Sequence, residues 1–380
     1  MMKILVTGAH LSPAQAVIEK LLELPDTKIV YIGRKHARDD DKTASVESVV
    51  LPKLGVKFIS ITAGKLNRFF SFQSLFSFLN TPVGFVQAFY HLLKEQPDLI
   101  VSFGGFTGLP VVVSGWMLSV PILIHEQGLS MGLANYLSSF FADKIAVSFE
   151  KFKIPFLINS GKIVVTGNPL RREFLDGKID QKKEIKSFTD KAIKGKNPII
   201  FVTAGSQGSH KINLVIEDKL GEITKIAAVV HQTGESKFDD FNNLKKYESD
   251  NYLVKKWIDA PEFAYALEKA DLTICRGGMN TLIELSMKSA PALIIPIPIG
   301  SEQKENARFF SKLGLGEVLE EKQLTPDLFL KRVKDLLSKK LTLKSDAENA
   351  KKTVLPGAEN RLVQEILKME NQQEKLSLGY

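Results

Sequence analysis

A chain of 380 residues with 44% hydrophobic content is long enough for two domains, each with its own core. Its single cysteine, Cys275, excludes an intramolecular disulfide and a multi-cysteine metal site, which fits a reducing compartment. A formal net charge of +8 suits an acidic partner: a nucleotide diphosphate, an anionic lipid or a nucleic acid. Lys3–Val6 reads as a strand and Pro13–Leu24 as a helix. Ile4-Leu5-Val6 is too short an apolar run for a secretory signal. Strands follow at Lys28–Ile32, Val56–Ile59, Leu99–Val101, Ile122–Ile124 and Lys144–Val147. No charged residue occurs from Leu99 to Ile124, and so long a run first suggests a membrane span. Gly104, Gly105, Gly108, Pro110, Gly115 and Pro121 interrupt it, so the expectation is strand, glycine turn, helix and strand, with buried parallel strands reading as apolar runs.

The pattern restarts in the second half, with strands at Ile199–Val202, Ala227–Val230, Tyr252–Val254, Leu272–Cys275 and Ala292–Ile295. Such alternation implies an α/β protein: two doubly wound, Rossmann-like domains, expected to face each other across a cleft. The boundaries expected are 1–165 and 166–356, with a linker near Val165–Glu173 and a terminal helix and tail over 357–380. The helix is expected to fold back on the first domain. Lys182–Lys196 should form a solvated helix or loop, and the polar tail after Met369 should fray.

The most informative segment is Cys275-Arg276-Gly277-Gly278-Met279-Asn280-Thr281-Leu282-Ile283-Glu284. An apolar strand runs into two glycines and then a helix. Glycine lets the backbone approach a ligand, and the unpaired N–H groups of a helix start favour an anion. Glu284 lies in the first turns of that helix, where a carboxylate can accept sugar or ribose hydroxyl protons. Three more turns follow strands in the same way: Thr7-Gly8-Ala9-His10, Ser102–Gly108 and Ala204–Ser209. Together they point to a diphosphate-binding site more strongly than any one alone. His10 stands where α/β sheets bind ligands and can take a proton near neutral pH; its structural alternative is a helix-capping or core histidine. His125-Glu126-Gln127 and His231-Gln232-Thr233-Gly234 also follow strands. Arg171 offers a planar fork to phosphate, and Gln303 and Asn306 share a helix face at i and i+3.

This order of motifs resembles the MurG family of N-acetylglucosaminyltransferases. The matching segments are Thr7–Pro13, Ala63–Arg68, Gly104–Gly108, His125–Asn135, Gly167–Arg171, Gly205–Asn213, His231–Gly234, Trp257–Asp259, Cys275–Glu284 and Gln303–Ala307. The resemblance implies a GT-B fold and an inverting transferase. It implies UDP-N-acetylglucosamine as donor and a polyprenyl-diphosphate-linked muramoyl-pentapeptide as acceptor. It implies no nucleic-acid partner and no cofactor. It places the acceptor and the membrane with the first domain and the UDP-sugar with the second. Carried over, Ser206 meets the diphosphate, Gln207 is a further substrate-binding residue, and Ile258 meets the uracil through its backbone. Met279, Asn280, Thr281, Leu282, Ile283 and Glu284 wrap the diphosphate and ribose, and Gln303 binds the sugar. Thr7, Gly8 and Ala9 approach the sugar, Asn135 is a further substrate-binding residue, and Arg171 lies at the hinge side. His10 is the first choice of general base, with Glu126 and His125 as rivals. Two departures bear on acceptor geometry and sugar contacts: the first glycine loop is shortened to Thr7-Gly8-Ala9-His10, and Gly128 stands where the family has asparagine.

Lys65–Leu93 holds seven phenylalanines beside Lys65 and Arg68, with Phe69, Phe72, Phe76 and Leu79 at helical spacing. Aromatic and basic residues together suit an anionic membrane surface; a buried helix face is the alternative reading. That surface would attach the protein peripherally to a membrane, and the family resemblance implies its cytoplasmic face. The one close acidic run, Asp39-Asp40-Asp41, sits among Lys35, Arg38 and Lys42, and no metal is expected. The competing functions are a transferase with another glycolipid or diacylglycerol acceptor, a UDP-N-acetylglucosamine epimerase, and a non-catalytic nucleotide-sugar sensor.

Overall fold

The computed structural model describes residues 1–36, 44–62, 72–176, 184–235, 237–298 and 302–377. Asp39–Asp41, Ala63–Arg68 and Phe69 lie outside the described residues. The chain forms two compact units: Met1–Arg171 with Leu355–Tyr380, and Arg172–Val354.

The first unit is built on seven parallel strands: β1 (Met2–Thr7), β2 (Thr27–Gly33), β3 (Lys57–Ser60), β4 (Leu99–Ser102), β5 (Ile122–Glu126), β6 (Lys144–Val147) and β7 (Ile163–Val165). They lie in the order β3-β2-β1-β4-β5-β6-β7. Alternate residues of β1 enter opposite cores, as the two-residue period of a strand requires. Ile4 and Val6 pack with Val17 and Leu21, whereas Leu5 packs with Leu92, Val111 and Val112. The helix Ala358–Ser377 completes the first of these cores by burying Leu362, Val363 and Ile366 against it. Arg361 fastens its start by donating to the carbonyls of Thr166, Leu355 and Pro356. The uncharged run resolves into β4, the helix Gly108–Met117 and β5. Among the described residues no helix is long and apolar enough to cross a membrane.

The second unit carries six parallel strands: β8 (Ile199–Thr203), β9 (Ala228–Gln232), β10 (Tyr252–Lys255), β11 (Leu272–Cys275), β12 (Ala292–Ile294) and β13 (Gly316–Val318). Their order is β10-β9-β8-β11-β12-β13. The lysine-rich stretch contains a helix, Glu184–Lys194, that buries Ile185, Thr189 and Ala192 and is therefore packed on one face. Two strands, β7 and β13, have no counterpart in the sequence reading. Each is a three-residue edge strand with no fully buried position, so neither an apolar run nor an alternation marks it. In both sheets the strand order reverses beside the first strand, between β1 and β4 and between β8 and β11. Open α/β sheets bind ligands at the strand ends there.

Candidate active site

In the first unit the switch point is closed by backbone contacts. Phe103 N–H donates to Thr7 O at 2.8 Å and Ala9 N–H to Gly104 O at 2.9 Å. Gly8 has φ +137°, and a Cβ there would lie 2.7 Å from the Phe103 carbonyl carbon, so the two loops meet only because this residue is glycine. Tyr31 donates its hydroxyl to Gly8 O at 2.8 Å and holds the turn from beneath. Thr7 is fully buried and donates its hydroxyl to Ile32 O, so its side chain serves the sheet, while the Ala9 N–H and the Gly8 carbonyl are taken by Gly104 and Tyr31.

The helix after β1 starts at Leu11, which makes His10 its N-cap residue, yet the His10 side chain makes no capping bond. Its Nδ1 lies 2.9 Å from Gln127 Nε2. Desolvation lowers the His10 pKa to about 4, so the ring is neutral at pH 7. His125 and Glu126 occupy the same strand end but are committed elsewhere. His125 is buried, its Nε2 is 3.1 Å from Gly167 O, and burial lowers its pKa to about 4. Glu126 accepts from Gly128 N–H at 2.8 Å, Gly132 N–H at 3.0 Å and Asn135 Nδ2 at 2.9 Å. Its carboxylate thus folds the following loop on itself. Asn135 is buried and also donates to His125 O, and a Cβ on Gly104 would press on its amide. Arg171, half-buried, ends this unit.

In the second unit the ends of β8 and β11 carry the glycine turns side by side. Gly208 and Gly234 both have positive φ, and a Cβ on Gly208 would fall onto Thr233 O. These turns interlock, and Ser206 O accepts from Glu235 N–H at 2.9 Å beside them. Ser206 is half-buried and Gln207 exposed. Gly278 is the N-cap of the helix Met279–Met287, in which Glu284 is buried and Asn280 and Thr281 are half-buried. Met279, Leu282 and Ile283 are buried, and the Leu282 N–H already donates to Gly278 O at 3.1 Å. The helix Glu302–Lys312 approaches this turn. Asn306 Nδ2 donates to Gly277 O at 3.3 Å, and Gln303 Oε1 accepts from Ile297 N–H at 3.3 Å. Ile258 is buried, ahead of the helix Ala260–Lys269. The Cys275 thiol is fully buried and its pKa is pushed up to about 12, which removes it as a nucleophile.

Two features escape sequence reasoning. Arg276 bridges the glycine turn to its surroundings: its guanidinium bonds Ile295 O at 3.0 Å, Ser209 Oγ and Glu321 Oε2, the last at 2.6 Å. Nothing local in the sequence pairs Arg276 with a residue 45 positions on. The second is a buried relay behind the β8 and β9 turns. Tyr252 donates to His231 Nδ1 at 2.9 Å, and His231 Nε2 donates to Asn213 Oδ1 at 3.1 Å. Asn213 Nδ2 donates to Thr233 O at 3.2 Å and Asp240 Oδ2 at 2.7 Å, and His210 Nδ1 completes the chain onto Asp240 Oδ1 at 2.7 Å. The directions of the two His231 bonds follow from its neutral ring, whose pKa burial lowers to about 3.

Residues 6–147 match the glycosyltransferase family 28 N-terminal domain, and residues 199–374 match the glycosyltransferase family 28 C-terminal domain. A protein of Treponema denticola is 34% identical over 342 residues, spanning 87% of this chain and 86% of its own length. One from Clostridium kluyveri is 31% identical over 376 residues, spanning 97% and 99%. Both are named UDP-N-acetylglucosamine–N-acetylmuramyl-(pentapeptide) pyrophosphoryl-undecaprenol N-acetylglucosamine transferase. The solved structure of Acinetobacter baumannii MurG superposes with a TM-score of 0.68 at 21% identity, covering 97% of this chain and 100% of that one, and so shares the GT-B fold. With both domain matches in order and this identity sustained over most of its length, the chain belongs to glycosyltransferase family 28, within the MurG family of N-acetylglucosaminyltransferases.

Proposed function

We propose that this chain transfers N-acetylglucosamine from UDP-N-acetylglucosamine to an undecaprenyl-diphosphate-linked muramoyl-pentapeptide, the step that makes lipid II for peptidoglycan. One observation carries the reading. The chain that is 34% identical to a named transferase also brings the Ser206 loop and the Gly277–Glu284 turn and helix to the switch point of one sheet. In this reading the second unit binds the donor. The N-terminus of the helix Met279–Met287 meets diphosphate charge, the buried Glu284 carboxylate accepts the ribose hydroxyls, and Gln303 holds the sugar. No metal is needed for this, since helix N–H groups and side chains meet the phosphate charge.

The first unit supplies the base. The acceptor hydroxyl attacks the anomeric carbon, the sugar–phosphate C–O bond breaks, and its electron pair leaves with UDP. His10 takes the hydroxyl proton. His125 Nε2 and the Glu126 carboxylate already hold backbone and loop partners, which favours His10 over either rival. Membrane association follows the helix Phe72–Glu95. Val83, Val86, Tyr90 and Leu93 are 44%, 71%, 58% and 51% exposed and recur at helical spacing, so this helix turns an apolar stripe outward. A stripe of this kind suits peripheral attachment to a membrane.

An epimerase shares the two-sheet plan but needs no acceptor. The named relatives at 31–34% identity favour transfer. Glu284→Ala tests the donor assignment directly. UDP affinity measured by calorimetry should fall by about 1–3 kcal/mol, the cost of orphaning a buried polar partner. Unchanged affinity would remove Glu284 from the nucleotide site.

A further inference from the structure

Gln127 follows β5 directly, is 7% exposed, and places its Nε2 2.9 Å from His10 Nδ1 across 117 positions of sequence. Its Oε1 is buried and has no hydrogen-bond partner among the described residues. The ionisable groups around this pair are otherwise engaged. His125 is held by Gly167 O, Glu126 by two backbone N–H groups and Asn135, and Tyr31 by Gly8 O. The group that touches His10 is therefore an amide and not a carboxylate.

An amide side chain can present either of two faces to an imidazole nitrogen, and a half-turn exchanges them. With Nε2 turned inward it donates to Nδ1, the ring proton sits on the histidine Nε2, and that nitrogen cannot accept a proton. With Oε1 turned inward it accepts from Nδ1–H, and the histidine Nε2 carries a free lone pair. Protonation removes the choice altogether. Both nitrogens of an imidazolium are donors, so an inward amide N–H would then face a ring N–H. Once His10 has taken a proton, only the inward oxygen leaves Nδ1–H with a partner.

We infer that Gln127 is the positioning residue for His10: a half-turn of its amide, away from the Nε2-inward orientation of the structure, lets the oxygen accept Nδ1–H and hold the ring in the tautomer whose Nε2 is free to take the acceptor proton. The inference rests on the proposed base role of His10. In the step it serves, the acceptor O–H bond breaks and its proton moves to His10 Nε2. The oxygen forms the new bond to the anomeric carbon, and UDP departs with the electron pair of the broken C–O bond. The imidazolium is stabilised by the same Oε1 through Nδ1–H. The amide thus does with a neutral oxygen what a carboxylate does in a triad.

The test combines ring-15N NMR of the full chain with kinetics of Gln127→Met and Gln127→Glu. Wild-type His10 should appear as the Nδ1–H tautomer, and Gln127→Met should lose that preference. Gln127→Met should lower kcat by about tenfold or more with the KM for UDP-N-acetylglucosamine unchanged. Gln127→Glu is an obligate acceptor: it should keep the Nδ1–H tautomer, retain more activity than the methionine variant, and move the acidic limb of the kcat profile to higher pH. A wild-type His10 protonated at Nε2, or a methionine variant with unaltered tautomer and kcat, overturns the inference. His10→Ala separates this from failure of the base role. If that variant keeps kcat within about tenfold of wild type, the base assignment fails while the tautomer measurement still reports on Gln127.

Discussion

His231 Nε2 donates to Asn213 Oδ1 at 3.1 Å, and through this bond the end of β9 is tied to the helix His210–Ile223 that follows the Gly205–Gly208 turn. Asn213 spends its two amide hydrogens on Thr233 O and Asp240, so one side chain fixes both turns. Asn213→Ala leaves the His231 N–H without its acceptor and removes one of the donors to Asp240. It should destabilise the second unit by about 1–3 kcal/mol in urea denaturation. Tyr252→Phe removes only the far end of the relay and should cost about 1 kcal/mol. Equal effects would mean that the relay does not centre on Asn213.

Acid should unfold this protein earlier than its carboxylates alone require. His125 and His231 are buried, and their pKa values are lowered to about 4 and about 3. Exposed in the unfolded chain, each titrates near 6.5. Their contribution to stability is therefore fully present above pH 6.5. It is lost as pH falls from there towards 4 and 3, at on the order of 1 kcal/mol per pH unit for each histidine. Denaturation midpoints measured between pH 7 and 5 should fall, and His231→Gln should flatten the slope for the second unit. A stability flat over this range would contradict neutral burial of both rings.

The apolar stripe on the helix Phe72–Glu95 leads to a separate expectation. Val86→Asp with Tyr90→Ser should reduce co-sedimentation with anionic vesicles and leave the melting temperature near that of the wild type, because both side chains are largely exposed. High salt should weaken wild-type binding through its charged component. Vesicle binding that is the same in the double variant and the wild type would exclude this stripe as the attachment surface.

Much of the architecture is legible in the sequence because parallel strands buried on both faces read as apolar runs and glycine marks their ends. Leu272–Cys275 and Lys144–Val147 coincide with β11 and β6 residue for residue. The edge strands β7 and β13 leave no such trace, being short and half-buried. At the site, the order of motifs identifies the loops but not how their side chains are used. Glu126 reads as a rival base beside His125, yet it accepts three hydrogen bonds from the loop it begins. The Gln127–His10 and Arg276–Glu321 pairs join residues far apart in sequence, and only the folded sheets bring them together.

The central claim is sugar transfer, and one measurement bears on it most directly. The full chain is incubated with UDP-N-acetylglucosamine labelled in the sugar and a lipid I analogue, in the presence of EDTA, and the label is followed by product analysis. The account predicts UDP release only when the acceptor is present, label recovered on the muramoyl lipid as a disaccharide, and turnover unaffected by the chelator. Label that stays with the nucleotide as an epimerised sugar, or UDP release that ignores the acceptor, would contradict it.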